Sequence, residues 1–308
     1  MDIYCCGMYR SCSTWQYEIT LEILRRAQER GEPVRVEPLG YRTGPQFAAE
    51  DGPKRSRERI RVMKAHEGHP SFSRALTRGR AVGIYAHRDV RDVVFSLMYK
   101  RQQSFREIVR TGMIHQILAN DRFWRLHPQV LVQRYDDIMD QPASAIEEIA
   151  FYLNVELPAE EPERLANAYS KEANLRRTAE TRNALAEKGI DLSTDANSEV
   201  YDPQTLLHWN HIRPEADDWR ALALPEERAV MRRLLGRWLA DNGYPADDPV
   251  ESESQPSPGK TWRTDTLHGK FRCHSRELSS RYHRVALPLK RLLGIGAAER
   301  RSKSIDVT

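Results

Sequence analysis

The run from Asp2 to Met8 (DIYCCGM) is apolar, too short for a helix, and stopped by a glycine and a polar turn. From Thr14 to Arg30, Trp15, Ile19, Ile23 and Ala27 then recur at helical spacing. A buried strand that gives way through a short polar loop to a helix leaves few options for the rest of the chain. The same alternation continues. Val34 to Leu39, Ile60 to His66, Ala81 to His87 and Val130 to Tyr135 read as further strands. Val90 to Arg101, Phe105 to Leu126, Ala143 to Leu153 and Glu160 to Lys188 read as helices. Strands alternating with helices predict an α/β fold, a three-layer parallel sheet with helices on both faces.

With 308 residues, 40% hydrophobic and 30% charged, the chain can bury a sizeable core. After Gly243-Tyr244-Pro245 the pattern changes to ESESQPSPG, which cannot bury enough apolar area to offset the entropy of ordering it. The expected division is a domain over 1–250 and a weakly ordered tail over 251–308. The tail carries 12 Lys and Arg against 6 Asp and Glu; the first 250 residues carry 36 against 38. Within the tail, VALPLKRLLGI (Val285 to Ile295) is a short amphipathic patch suited to peripheral membrane or protein contact. The four cysteines have neither disulfide-framework nor metal-ligand spacing, and no run approaches the ~18 apolar residues of a membrane helix. The expectation is a cytoplasmic protein without a metal.

Chemistry concentrates where strands end. Tyr9-Arg10-Ser11-Cys12-Ser13-Thr14-Trp15 places a cation and hydroxyls where the first helix begins. Unpaired N–H groups and the positive dipole end there suit a phosphate or sulfate, although an ordinary Ser/Thr cap has the same composition. A thiol at such a helix start could also be a nucleophile. No GxxxxGK[ST] occurs, which weakens a nucleotide-kinase reading. A second junction, YAHRDVRDVVFS, carries Arg88 at a strand end and Ser96 two helical turns on. An Arg/Asp surface network capping the helix is the plainer account of it.

Both segments resemble those of PAPS-dependent sulfotransferases, PAPS being 3′-phosphoadenosine-5′-phosphosulfate. The first is similar to the 5′-phosphosulfate loop (Lys/Arg, Ser, Gly, Thr/Ser, Thr, Trp), with Cys12 where the family has a glycine that would relieve a positive φ. The second is similar to the 3′-phosphate segment, with Val90 at its proline position. The resemblance covers roughly residues 1–244 and implies the phosphate-loop kinase type of parallel sheet, PAPS as co-substrate, and sulfuryl transfer to a hydroxyl or amine. It implies donor contacts from Arg10, Ser11, Cys12, Ser13, Thr14 and Trp15, and 3′-phosphate contacts from Arg88 and Ser96. Lys64-Ala65-His66 resembles the family's Lys-Thr-His, making His66 the general base and Lys64, with Arg10, a clamp on the transferring group. His69 is the rival base.

Tyr135, in a segment similar to a strand ending in Tyr-Glu-Asp, inherits the adenine contact. Trp15 suits either the adenine face or packed core. Residues 210–220 resemble the family's closing loop, with Arg213 a 3′-phosphate ligand and His211 a secondary one. The acceptor, a small molecule, glycan, lipid or peptide, is not written in the sequence; Gly40 to Arg57, Gln102 to Gly112 and Thr178 to Tyr201 are the segments expected to meet it. A non-catalytic RNA or acidic-surface binder using the basic tail is the alternative to an enzyme, but no nucleic-acid module is present, so no nucleic-acid partner is expected.

Overall fold

The computed structural model describes residues 1–50, 59–192, 206–209, 212 and 218–245. In chain order the elements are β1 (Asp2–Gly7), α1 (Ser13–Glu29), β2 (Arg35–Tyr41), α2 (Gly44–Glu50), β3 (Arg59–Ala65), α3 (Pro70–Thr77), β4 (Ala81–His87), α4 (Val90–Arg101), α5 (Phe105–Arg110), α6 (Met113–Arg125), β5 (Val130–Arg134), α7 (Tyr135–Asp140), α8 (Pro142–Leu153), α9 (Glu161–Ala168), α10 (Lys171–Glu187), α11 (Trp219–Leu222) and α12 (Pro225–Asp241). The strands form one sheet in the order β2-β3-β1-β4-β5, every neighbouring pair parallel. The predicted α/β class and parallel sheet are what the chain adopts.

Strand composition follows position in that order. Every residue of β1 and β4 is buried, as expected of central strands covered on both faces, whereas the edge strand β2 is half-buried or exposed throughout. The lone charge on β1, Asp2, takes two hydrogen bonds from Arg61 of β3, at 2.8 and 3.0 Å. These two residues are register partners, so the ion pair and the strand pairing support each other.

Helix α1 is buried nearly all round, and its polar side chains are answered from elsewhere in the fold. Gln16 donates to Gln133 of β5 at 2.9 Å, Glu18 accepts from Arg177 of α10, and Glu22 accepts from Tyr169 at 3.0 Å. Two predicted helices divide. Phe105 to Leu126 breaks at Gly112, whose φ of +73° favours glycine, and Glu160 to Lys188 breaks where Ser170 caps α10. Of the segments expected to meet an acceptor, Gly44–Glu50, Phe105–Arg110 and the stretch from Thr178 to Glu187 are helical, and residues 51–57 and 193–201 lie outside the described residues.

The chain divides into two units, Met1–Leu235 and Gly236–Thr308, the division falling within α12. The expected boundary at residue 250 and the amphipathic patch of the tail lie outside the described residues. Among the described residues no helix is long and apolar enough to cross a membrane.

A second ion pair lies inside the first unit. Arg91, 1% exposed, is gripped by both oxygens of Asp89, and its guanidinium lies 4.1 Å from the Trp219 ring. Removing one partner of a buried pair strands the other charge. Asp89→Ala should therefore lower the unfolding free energy by about 3–5 kcal/mol. Arg164→Ala, which removes an ion-pair partner whose side chain is 50% exposed, should cost at most ~1 kcal/mol. Urea unfolding of the two variants checks the contrast.

Candidate active site

In an open parallel sheet, ligands gather at the carboxyl ends of the strands, where successive connections leave in opposite directions. Here the chain runs from β1 outward to β2 and later crosses β1 to reach β4, which puts the loop after β1 at that point. The loop is closely packed. Met8 N–H donates to the Ala86 carbonyl at 3.0 Å, and the Ser11 hydroxyl lies 2.7 Å from the Met8 carbonyl and 2.9 Å from that of Ala86. A Cβ at Gly7 would stand 2.9 Å from Ser11 Oγ and 3.1 Å from the Ala86 oxygen, so a larger residue would have to displace the loop from this strand end.

Two loop residues, Arg10 (φ 64°) and Cys12 (φ 69°), are left-handed. Cys12 is the N-cap of α1 and makes no side-chain cap bond, so the first-turn N–H groups of Ser13, Thr14 and Trp15 are not capped by a side chain of the helix's own start. Burial pushes the Cys12 thiol up to about 12 against the opposing pull of Arg88 and Arg10, which disfavours a thiolate nucleophile near neutral pH. The Ser11 hydroxyl is directed at carbonyls. Trp15 is 8% exposed, its ring largely enclosed.

Three cations surround this loop. Lys64, buried at the end of β3, donates to Thr14 Oγ1 at 2.8 Å. Arg10 Nε donates to Ser96 Oγ at 2.9 Å, which joins the cation expected at one end of a donor to the hydroxyl expected at the other. Arg88 sits with its guanidinium 4.4 Å from the Tyr135 ring and its Nη1 3.5 Å from the Arg10 carbonyl. Asp92 stands 3.8 Å from Arg88 and accepts from the Trp219 N–H at 3.1 Å, so α11 is fastened to the helix carrying Ser96. His211 and Arg213 lie outside the described residues.

His66 follows β3 directly, and its Nδ1 lies 2.9 Å from the Gly7 carbonyl. A carbonyl only accepts, so Nδ1 carries the hydrogen and Nε2 keeps a free lone pair. Burial, followed by the charge of Lys64, lowers the His66 pKa to about 4. His69, the rival, caps α3: its Nδ1 accepts from the Ser71 N–H at 3.2 Å and lies 2.7 Å from the Ser71 hydroxyl.

Sequence reading missed Tyr41, Glu67 and His208. Glu67 receives hydrogen bonds from Tyr9 and Tyr41, two residues distant in sequence, and no spacing announces such a meeting. His208 is held at a pKa of about 3 by burial and then by Lys100, Lys64, Arg10 and His66, which sets it in the same electrostatic neighbourhood. Its segment has no periodicity to flag it. No group of three or more His, Cys, Asp or Glu side chains that could hold a metal ion occurs among the described residues.

The left-handed backbone at Cys12 gives a stability test. A non-glycine residue in that conformation costs about 1–2 kcal/mol. Cys12→Gly should raise the unfolding free energy, less the ~1 kcal/mol that glycine's extra freedom in the unfolded chain takes back, with no loss of affinity for adenosine 3′,5′-bisphosphate. Destabilisation in urea unfolding would contradict the strain at this residue.

A family model for the sulfotransferase domain matches residues 1–200. Solved structures resemble the chain as well. Mouse sulfotransferase SULT7A1 complexed with PAP aligns with a TM-score of 0.51 at 13% identity, over 77% of this chain and 84% of that one. Retinol dehydratase with androsterone and the inactive cofactor PAP aligns at 0.50 and 17%, over 78% and 81%. Retinol dehydratase with retinol and PAP aligns at 0.50 and 17%, over 83% of each chain. At these identities the likeness speaks to fold alone. No curated protein matches the chain in sequence. The matched domain takes in both strand-end segments and all five strands of the sheet, and the chain belongs to the sulfotransferase domain family.

Proposed function

We propose that this chain transfers the sulfuryl group of PAPS to an acceptor hydroxyl or amine, with His66 as general base. The observation that carries the reading is the convergence of Arg10, Lys64 and the α1 N-terminus on one loop, beside an imidazole with a free Nε2. An anion with groups at two ends suits the three cations better than a neutral ligand does. The 5′-phosphosulfate end takes Arg10, Lys64, Thr14 and the main chain of Ser11, Cys12, Ser13 and Trp15. Arg88 and Ser96 take the 3′-phosphate, joined by Arg213 and His211, and Tyr135 takes the adenine, with Trp15 beside it. The solved relatives hold PAP, and retinol or androsterone accompanies it in retinol dehydratase. A small-molecule alcohol is the acceptor class this favours.

The acceptor oxygen attacks sulfur in line as the bond from sulfur to the bridging phosphate oxygen breaks. The acceptor proton passes to His66 Nε2, and the charge left on the 5′-phosphate is met by Arg10 and Lys64. At neutral pH a His66 pKa near 4 keeps the imidazole unprotonated and ready to accept that proton. A bound anionic donor pulls this pKa upward, because an opposite charge favours the imidazolium.

Labelled PAPS with 2-naphthol, 1-octanol and octylamine as acceptors tests the reading. His66→Ala should slow single-turnover transfer to 1-octanol by roughly 10²–10⁴-fold and leave bisphosphate affinity nearly unchanged. The acid limb of the wild-type rate, lost as pH falls through the His66 pKa, should vanish in the variant. Arg88→Ala and Ser96→Ala should weaken bisphosphate binding about tenfold to a hundredfold and binding of adenosine 5′-phosphate much less, since a charge-assisted contact is worth ~1.5–3 kcal/mol. Wild-type turnover by His66→Ala would remove the base assignment, and equal weakening for both nucleotides would move Arg88 out of the 3′ site.

The same reading takes residues 1–250 as the sulfotransferase domain. A chain ending at residue 250 should fold and keep its bisphosphate affinity by calorimetry. Loss of folding would place part of the domain in the tail.

A further inference from the structure

One cluster of side chains touches the candidate base without belonging to the donor site. Glu67, directly after His66, accepts from the Tyr9 hydroxyl at 2.5 Å on one oxygen and from the Tyr41 hydroxyl at 2.6 Å on the other. The two tyrosines arrive from opposite sides. Tyr9 belongs to the loop after β1, immediately before Arg10, and Tyr41 ends β2. Both rings lie against the His66 imidazole, with centroids at 4.9 and 6.0 Å and planes tilted by 39° and 42°. Helix α6 closes the cluster: Gln116 donates to the Tyr9 oxygen at 3.4 Å, and Trp124 Nε1 donates to the His66 carbonyl at 2.9 Å.

A single hydrogen bond from Nδ1 to the Gly7 carbonyl selects the tautomer only while the ring stays in line with it, and alone it does not stop the imidazole tilting out of that alignment. Two rings set against its plane remove the freedom, provided the rings are themselves held. A carboxylate is acceptor-only, so both phenolic hydrogens point to Glu67 and each ring has one favoured placement. Burial raises the Glu67 carboxyl, but the Tyr41 and Tyr9 hydroxyls and His66 outweigh it and hold the group ionised.

We propose that Glu67, by gripping Tyr9 and Tyr41, is a positioning residue that fixes the plane and tautomer of His66 and ties the base to the anion loop. The proposal rests on His66 being the base. Because Tyr9 adjoins Arg10, whatever orders the loop also orders the imidazole.

The double variant Tyr9→Phe/Tyr41→Phe keeps both rings and removes both hydroxyls. Nitrogen-15 NMR of His66 in the free protein reads the tautomer, and single-turnover transfer from PAPS to 1-octanol reads the chemistry. Both are measured with His66 present, and the rate also in the His66→Ala background. The expected result is a mixed tautomer, unchanged bisphosphate affinity, and a rate lower by about tenfold to a hundredfold with His66 present but not without it. An unchanged tautomer and rate would overturn the proposal. So would an equal loss of rate in the His66→Ala background, since the hydroxyls would then act elsewhere. Should the double variant not fold, Glu67→Gln, which keeps one acceptor oxygen, should show the same two changes at smaller size, and the absence of both would count equally against the proposal. If His66→Ala alone transfers at the wild-type rate, the base assignment fails, and the tautomer measurement still decides whether Glu67 orients the imidazole.

Discussion

Before α1 can begin, the chain has to leave the carboxyl end of β1 through a loop whose backbone turns left-handed twice, at Arg10 and at Cys12. Much of the site hangs on that passage. It works because Gly7 lets Ser11 Oγ come within the space a Cβ would fill, so that one hydroxyl ties the loop to the carbonyls of Met8 and Ala86. The Gly7 carbonyl, at the same place, orients His66. Two non-glycine residues in left-handed backbone oppose folding by about 1–2 kcal/mol each, and the buried sheet beneath absorbs the cost. What the strain yields is a helix start without a side-chain cap, set directly over the strand ends.

Cations are concentrated at this edge. Lys64, Arg88 and Arg91 are all less than a tenth exposed, and Arg10 is half-buried. Arg91 has its counter-ion in Asp89, and Arg88 has the more distant Asp92. Lys64 is met by a hydroxyl, Thr14, and Arg10 by the hydroxyl of Ser96. Cations gathered at one edge raise the local positive potential, which would favour an anion bound there. Burial first, and then Lys64 and Lys100 for both rings with Arg10 added at His208, lower the pKa of His66 and His208 and keep them neutral.

How much of this could be read from the sequence depends on how far apart the partners lie. The strand ends at Gly7, Ala65 and His87, and the helices that follow two of them, are local patterns in apolar spacing, and those patterns alone set Arg10, Lys64 and Arg88 along one sheet edge. The glycine position occupied by Cys12 was legible only through the resemblance to the sulfotransferase loop, and its φ of 69° is the conformation a glycine there would have accommodated. Long helical patterns were over-extended, because amphipathic spacing continues across Gly112 and Ser170 although the backbone does not. Short helices such as α7 span too few residues for periodicity to reveal. Tyr9, Tyr41 and Glu67 meet only through the register of β2 on β3 and the turn after β1, so nothing within any one segment marks them as a unit.

The two strand–helix junctions differ in what each could offer an anion. Helix α1 has no acidic residue in its first turn; its buried carboxylates come later, at Glu18 and Glu22, where Arg177 and Tyr169 answer them. Its dipole end is therefore left positive and suits an anion bound by main-chain N–H groups. Helix α4 begins with Asp89 accepting from the Arg91 N–H and carries Asp92 one turn in, so its dipole is already offset by its own carboxylates. An anion at that junction would meet side chains rather than a helix end. Arg88 precedes the cap and Ser96 lies two turns beyond it, so on the proposed reading an anion there would be held by a guanidinium and a hydroxyl, which a substitution can remove singly. At the α1 junction main-chain N–H groups would take that part, and no side-chain substitution can delete them.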